Sequence, residues 1–193
     1  ANYSTYYSNF TCTVGILYYD GAGEWNVSVY AEDASDSASV NTSTTFSLSS
    51  TAAFVSGPSI LSWGSLNPGT VNQTSSNDPI VLNNTCNKPI TAGNIQINAT
   101  SLRGETTTTQ GIWAGNFSVG ISTGSNAECN STTMAQSEFT GINGATLAKG
   151  NYTTNDGNTG QELLYFCITK IGSELTSQQY STGQEGSWTV KIV

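Results

Sequence analysis

Ten asparagines in this chain stand two residues before a serine or threonine, in the Asn-Xaa-Ser/Thr pattern that accepts N-linked glycans. Chance would give roughly five such sites, because 54 of the 193 residues are serine or threonine and 19 are asparagine. A glycan is bulky and needs an accessible acceptor. The excess favours a densely glycosylated extracellular chain over a by-product of composition. The ten are Asn2, Asn9, Asn26, Asn41, Asn72, Asn83, Asn98, Asn116, Asn130 and Asn151.

The four cysteines are the second set of residues whose chemistry bears on function. Cys12, Cys86, Cys129 and Cys167 are widely spaced, without CxxC pairs, and the chain contains no histidine, so a zinc site is not indicated. In a secreted protein this pattern favours disulfides over free thiols. Four cysteines allow three pairings, and their spacing does not choose among them.

Patterns typical of catalysis are weak. Residues 120–124 (GISTG) match the GxSxG turn of serine hydrolases, but that nucleophile needs a histidine base, and the chain has none. The thirteen acidic residues include no recognisable glycosidase pair, and Arg103 is the single arginine available to clamp a substrate. We therefore expect no enzymatic activity and no cofactor.

Two acidic loops and four tryptophans carry alternative interpretations. Oxygen ligands for Ca²⁺ are present in residues 32–36 and 155–162, but neither loop has EF-hand spacing, and capped turns explain both. No metal site is therefore predicted, although calcium binding by a loop stays open.

Tryptophans at positions 25, 63, 113 and 188 could stack on sugars, but core packing is the expected role for most of them.

Composition narrows the classes of partner. Only 9% of the residues are charged and the net charge is -8, so the chain offers no basic surface to nucleic acid or anionic membranes. No stretch approaches the ~18 apolar residues of a membrane-spanning helix, so no membrane insertion is expected. The sequence starts at Ala1 and its single methionine is Met134, which favours removal of a secretory signal.

Short apolar runs of period two, bounded by Gly, Asn, Asp and Pro, predict an all-β fold, an antiparallel β-sandwich of pilin-like or immunoglobulin-like type. The run at 163–168 (LLYFCI) predicts a central strand covered on both faces. Loops are expected at 33–42, 104–110 and 150–161, and a hairpin at residues 20–23 is expected to join the first two strands. The expected strands are 10–19, 25–31, 43–49, 53–55, 59–63, 79–83, 90–98, 112–121, 163–170 and 187–193.

The first twelve residues are interpreted as an N-terminal extension of a single domain formed by residues 13–193. This extension contains Tyr3, Tyr6, Tyr7 and Phe10 but no aliphatic residue, so it cannot form a core by itself. Ordering it costs ~1 to 2 kcal/mol per residue in backbone entropy, which extensive pairing must offset. These residues are therefore candidates for a strand donated to a neighbouring chain, although the C-terminal strand 188–193 is the alternative donor.

One stretch resembles a known class of proteins. Residues 63–70 (WGSLNPGT) and 77–87 (NDPIVLNNTCN) are similar to secreted β-sandwich proteins of archaeal cell surfaces, in which a Trp-Gly-x-Leu-x-Pro-Gly turn precedes an Asn-Thr-Gly-Asn turn. Here Cys86 replaces that glycine, which points to an additional disulfide with Cys12. We predict this bridge together with Cys129–Cys167, which would fix a polar loop to the most apolar strand. If the N-terminal extension is donated, the Cys12 bridge becomes intermolecular.

The many sequons and few charges also resemble the subunits of archaeal threads and bundling pili. That resemblance implies assembly by donor-strand complementation, in which an N-terminal strand of one subunit completes the sheet of the next. The expected function is therefore a structural subunit of an extracellular cell-surface filament used in adhesion or biofilm contact. Its partners would be copies of itself, joined head to tail, and covalent glycans. The alternatives are a non-polymerising adhesin, a sugar-binding or S-layer-associated domain, and, less favoured, a secreted hydrolase.

Overall fold

A computed structural model describes residues 9–193 as an all-β chain, which confirms the predicted fold class. Three short 3-10 helices, Ala114–Asn116, Ala127–Asn130 and Tyr152–Thr154, are the helical elements of this range, and none is long and apolar enough to cross a membrane. The strands are β1 (Gly23–Glu32), β2 (Ala38–Leu48), β3 (Phe54–Gly57), β4 (Val71–Thr74), β5 (Ile80–Asn84), β6 (Ile95–Asn98), β7 (Leu102–Gly104), β8 (Gly111–Ile112), β9 (Phe117–Gly120), β10 (Thr132–Thr133), β11 (Phe139–Gly141), β12 (Gln161–Lys170), β13 (Tyr180–Ser181) and β14 (Thr189–Ile192).

The largest sheet is built around β12, in the order β10-β9-β12-β5-β3. The first half of β12 pairs with β5, and its second half lies between β9 and β4. Leu164, Phe166 and Ile168 are buried on one face of β12, and on the other face Cys167 is buried while Leu163 and Tyr165 are half-buried, so both faces are covered. The run of apolar residues at 163–168 therefore predicted the central strand correctly.

Two smaller sheets complete the body, which we define as residues 49–193. Their strand orders are β11-β6-β14 and β13-β7-β8, and every pairing is antiparallel. Ile95 and Ile97 of β6 are buried, while the residues between and after them are half-buried, as expected for a strand with one core-facing side. All the residues of the hydrophobic core belong to the body. The arrangement is that of a β-sandwich around one core.

Three of the four tryptophans are at least partly shielded from solvent. Trp63 and Trp188 pack around Phe117, and the Trp188 ring lies 4.9 Å from the Phe117 ring. Their indole N–H groups donate to the carbonyls of Gln73 and Thr100, which satisfies the polar edge of each ring. Core packing is thus the role of these two tryptophans, as expected from their strand-like surroundings.

Strands β1 and β2 form a two-stranded hairpin, which we call the arm (residues 23–48). Trp25 stacks on Phe46 across the arm with ring centroids 6.1 Å apart, and the remaining arm residues, except Leu48, are exposed. The arm turn spans Asp33 to Ser37, where the Asp33 carboxylate accepts from two backbone N–H groups. The predicted loop 33–42 is therefore too long, since β2 begins at Ala38.

The predicted pairing of residues 10–19 with residues 25–31 is wrong. Residues 9–17 form no strand, and β1 pairs with β2 instead. The side chain of Asp20 accepts from the Leu17 N–H at 2.7 Å, and the Asp20 N–H donates to the Leu17 carbonyl. This local turn ends the segment before a hairpin can form. A period-two pattern predicted a strand conformation but not its partner.

Other predicted strands are shorter or absent. Residues 59–63 form no strand, because Asn77 bonds the backbone of Ile60 and Ser62 and holds that stretch as a loop. The strand expected at 90–98 is confined to β6, since residues 91–94 form a turn. The strand expected at 112–121 is divided into β8 and β9 by a 3-10 helix. Short strands β4, β7, β10, β11 and β13 were not predicted.

Candidate functional site

Residues 9–17, which we call the N-terminal segment, are exposed and lie outside every sheet. Phe10 is 88% exposed and Val14 is 75% exposed, although both are apolar, whereas Ile16 and Leu17 are about half exposed. In a β-strand, alternate side chains share one face. Phe10, Cys12, Val14 and Ile16 would form one apolar face, and Asn9, Thr11, Thr13 and Gly15 would form a small, polar one that ends at Leu17. This two-faced pattern is that of a strand that needs a sheet.

The N-terminal segment leaves the body at Tyr18. The Tyr18 hydroxyl lies 3.3 Å from the carbonyl of Gly150 and 3.3 Å from the N–H of Tyr152, and the Tyr18 and Tyr152 rings lie 5.8 Å apart. The unpaired part of the chain thus reaches residue 17, so the boundary predicted after residue 12 falls within it. Of the predicted donor residues, Phe10 belongs to this segment, while Tyr3, Tyr6 and Tyr7 lie outside the described residues.

The arm also exposes apolar side chains that no core covers. Val29 is 56% exposed, and on the opposite face Tyr30 and Val40 stand across from each other at 60% and 57%. A hairpin of two strands is marginally stable alone in water. Contiguous exposed apolar surface marks an interaction site in a folded protein. The N-terminal segment and the arm therefore both expose apolar side chains that the described part of the chain leaves uncovered.

The body offers open sheet edges. In the described part of the chain, β3 pairs with β5 on one side only, and β14 pairs with β6 on one side only. An unpaired edge presents backbone N–H and C=O groups that accept a further strand. Val55 of β3 is half exposed, which adds apolar surface at this edge.

The structure places nine of the ten sequon asparagines, and none of the nine is buried. Asn2 lies outside the described residues. Asn41 and Asn151 accept hydrogen bonds through Oδ1 from the hydroxyl residue two positions on, which leaves the amide nitrogen free to carry a glycan. By contrast, Asn84, which is not in a Ser/Thr sequon, is buried and uses its amide nitrogen for two backbone carbonyls. None of the nine described positions is buried, although Asn130 donates through its amide nitrogen to the Asn126 carbonyl.

The cysteines divide into one bonded pair and two free thiols. Cys129 and Cys167 form a disulfide, as predicted, and it ties the 3-10 helix at 127–130 to β12. The second predicted bridge is not formed in this structure of a single chain: Cys12 is exposed, Cys86 is half-buried, and both are free.

A pair of carboxyl groups that sequence reasoning did not single out lies beside this disulfide. Glu128 is 1% exposed, and its Oε1 accepts from the Thr74 hydroxyl at 2.7 Å. Asp78 accepts from the Phe166 N–H at 2.8 Å through Oδ2. Glu128 Oε2 and Asp78 Oδ1 are buried and have no hydrogen-bond donor. Because a substrate cannot reach Glu128, the pair does not have the layout of a glycosidase site.

Burial of the Asp78 carboxyl raises its pKa from the ordinary 3.8 to about 6, and the charge of Glu128 acts in the same direction. The N–H of Phe166 opposes this shift but does not cancel it. The folded protein therefore binds a proton here that the unfolded chain releases at lower pH. The stability from this group is complete below about pH 3.8 and is lost as the pH rises through about 6.

We expect Asp78→Asn to remove this pH dependence. Asparagine keeps the acceptor for Phe166 and carries no charge, so the variant should be more stable than the wild type at pH 7 and similar at pH 4. Thermal melts between these values measure the difference. Asp156→Asn is the control: hydrogen bonds from the Thr159 hydroxyl and nearby N–H groups lower the Asp156 pKa to about 2, so its loss should lower the stability equally at pH 4 and pH 7, with the pH dependence below this range. Parallel profiles for wild type and Asp78→Asn would contradict the assignment.

The remaining candidate residues have structural roles. The Asp156 carboxylate caps a turn by accepting from Asn158 and Thr159, and Glu162 accepts from the Thr146 N–H. Ser122 of the GxSxG match lies in a loop after β9, where its hydroxyl accepts weakly from the Gly124 N–H. Trp113 is exposed, but the Arg103 guanidinium covers its ring at 4.5 Å. None of these arrangements forms a catalytic group or an open platform for a sugar.

Comparison with known proteins adds no relative to this description. No protein-family model matches the chain, and no curated protein or solved structure is significantly similar to it.

Proposed function

We propose that this protein is a structural, non-enzymatic subunit of an extracellular, N-glycosylated filament that polymerises by strand addition. The observation that carries the proposal is the N-terminal segment: an unpaired, exposed stretch with alternating apolar residues, attached to a body that has its own core. A neighbouring subunit with an open sheet edge would supply backbone hydrogen bonds and a place to bury Phe10, Val14 and Ile16. The resemblance to archaeal threads and bundling pili agrees with this assembly.

Strand addition from one end of a subunit to another surface of the next does not close on itself, so it propagates as a fibre. The arm supports the same proposal, because its exposed apolar side chains follow the N-terminal segment directly in the chain and would be covered by packed neighbours. The disulfide Cys129–Cys167 agrees with an oxidising, extracellular location at the cell surface. Adhesion or biofilm contact is the role proposed for the filament.

Negative-stain electron microscopy of the secreted protein tests this proposal. Fibres of uniform width built from this chain are the expected result, and they should dissociate into monomers only under denaturing and reducing conditions. Single particles at every protein concentration would contradict the proposal that the protein forms a filament. A glycan array would then decide whether the chain is a sugar-binding or adhesive domain of the cell surface.

The density of sequons gives a separate prediction. We expect most of the ten sites to carry glycan, because all nine described acceptors are accessible. Asn9 is compatible with strand addition, since it belongs to the polar face of the segment, opposite Phe10. Intact-mass measurement before and after enzymatic deglycosylation counts the occupied sites. Occupancy of fewer than four would contradict the glycoprotein assignment while leaving strand addition to be judged by microscopy.

A further inference from the structure

We propose that Cys12 of one subunit forms a disulfide with Cys86 of the next, which locks the added strand covalently into the filament. This inference rests on the proposed function and extends it to a bond between subunits. The chain forms one disulfide and keeps two thiols, and those thiols lie on the two kinds of surface that strand addition brings together.

The first thiol lies on the donated element. Cys12 is exposed and follows the phase of Phe10 and Val14, the residues that an acceptor would bury. Its sulfur would therefore point towards the body of the neighbour after strand addition, and not towards solvent. The outward positions on either side are Thr11 and Thr13, which carry no reactive group.

The second thiol lies next to an open sheet edge. Cys86 follows β5 in a turn that is fixed to the residues leading into β3: Thr85 N–H donates to the Ala53 carbonyl, and Lys88 N–H donates to the Thr51 carbonyl. The Cys86 N–H is held by Asn84 Oδ1 at 2.9 Å. Because a disulfide requires the two Cα atoms within about 4.4–6.8 Å, the bridge would place Cys12 at this turn, beside the β3 end of the largest sheet.

A disulfide between chains is expected because a single chain leaves the N-terminal segment without a partner strand and both thiols unbonded. Within one chain, residues 9–17 pair with no strand, and both thiols are free. Cys12 lies six positions before Tyr18, where the chain is anchored to the body. An extended chain of this length spans at most about 20 Å, which limits how far the thiol reaches into a packed neighbour. One thiol on the donor and one on the acceptor give a head-to-tail bond that continues along a fibre, whereas like-with-like bonds stop at dimers.

The reaction is a two-electron oxidation. Each thiol loses one proton, one sulfur–sulfur bond forms, and an extracellular oxidant such as dioxygen or a small disulfide takes the two electrons. With oxidised glutathione, one cysteine first forms a mixed disulfide and releases glutathione. The second cysteine, as the thiolate, then attacks the protein sulfur of the mixed disulfide and releases the second glutathione.

Isotope mixing tests the proposal on the full chain. Equal amounts of light and isotopically heavy protein are mixed before assembly, exposed to oxidised glutathione, and digested without reductant. We expect Cys12–Cys86 peptides that join a light half to a heavy half. Bridged peptides whose halves always match in isotope would show an intrachain bond and overturn the proposal. Cys12–Cys12 or Cys86–Cys86 peptides would overturn it as well.

Denaturing gels provide the second readout. Without reductant, the oxidised wild type should run as a ladder of covalent oligomers that collapses to the monomer when dithiothreitol is added. Cys12→Ser and Cys86→Ser should each lose the ladder completely, and Cys86→Ser, which leaves the donated strand unchanged, should still form fibres visible by microscopy. Fibres without a ladder in the wild type would refute the bridge alone, whereas the absence of fibres would refute strand addition itself.

Discussion

Removal of residues 1–17 should abolish filament formation and leave the body folded. The deletion takes away Phe10, Val14 and Ile16, the apolar residues that a neighbour would bury, while every core residue lies further along the chain. The melting temperature should change by no more than about 2 °C, since the described residues of the deleted stretch, 9–17, are exposed and belong to no sheet. Electron microscopy and light scattering measure assembly, and thermal unfolding measures the fold. Fibres from the truncated chain would eliminate the N-terminal segment as donor and make β14 the candidate.

A matched pair of point variants separates the two faces of the N-terminal segment. Val14→Asp places a charge on the face to be buried, where an unpaired carboxylate is strongly unfavourable, so polymerisation should fail. Thr13→Asp places the same charge on the adjacent, outward position and should leave fibres intact. Equal effects of the two variants would show that the segment does not bind as a β-strand, because only a strand alternates its faces with this period.

The sequence predicted which residues form strands better than it predicted which strands pair with each other. The continuous apolar run at 163–168 identified β12 as central, because few arrangements other than a strand covered on both sides accommodate it. Residues 25–31 were also recognised as strand, but their pairing with β2 in an arm depends on the turn at Asp33 and the local turn closed by Asp20. Alternation alone does not encode which edge a strand meets.

How far the candidate donor segment extends could not be predicted from the sequence, and its donation to a neighbour stays a prediction. Composition pointed to the N-terminus as a donor, yet only the structure shows that the unpaired stretch continues past residue 12 to Leu17. Asp78 and Glu128 could not have been selected from the thirteen acids, since their burial arises from chain segments 50 residues apart. The pairing of Cys129 with Cys167 could be predicted, because a bridge between them fixes a polar loop to the most apolar strand.

Loss of the Cys129–Cys167 disulfide should be the most destabilising change in the body. The bridge spans 38 residues, and in the chain-entropy model closing such a loop stabilises the folded state by about 4 kcal/mol. For a domain of this size, that corresponds to a fall in melting temperature of roughly 10 °C. The double variant Cys129→Ala/Cys167→Ala should show it by differential scanning calorimetry. Alanine suits the site because both sulfurs are buried, and a serine hydroxyl would need a partner there.

The other two cysteines supply the control for this prediction. Cys12→Ser/Cys86→Ser changes an exposed and a half-buried thiol that are not bonded within the chain, so the monomer should melt close to the wild type. The two double variants should also differ in assembly: the first weakens the body that receives a strand, and the second removes only the covalent lock. If both lowered the melting temperature of the monomer equally, Cys12 and Cys86 would be bonded within one chain, and the link between subunits would have to be abandoned.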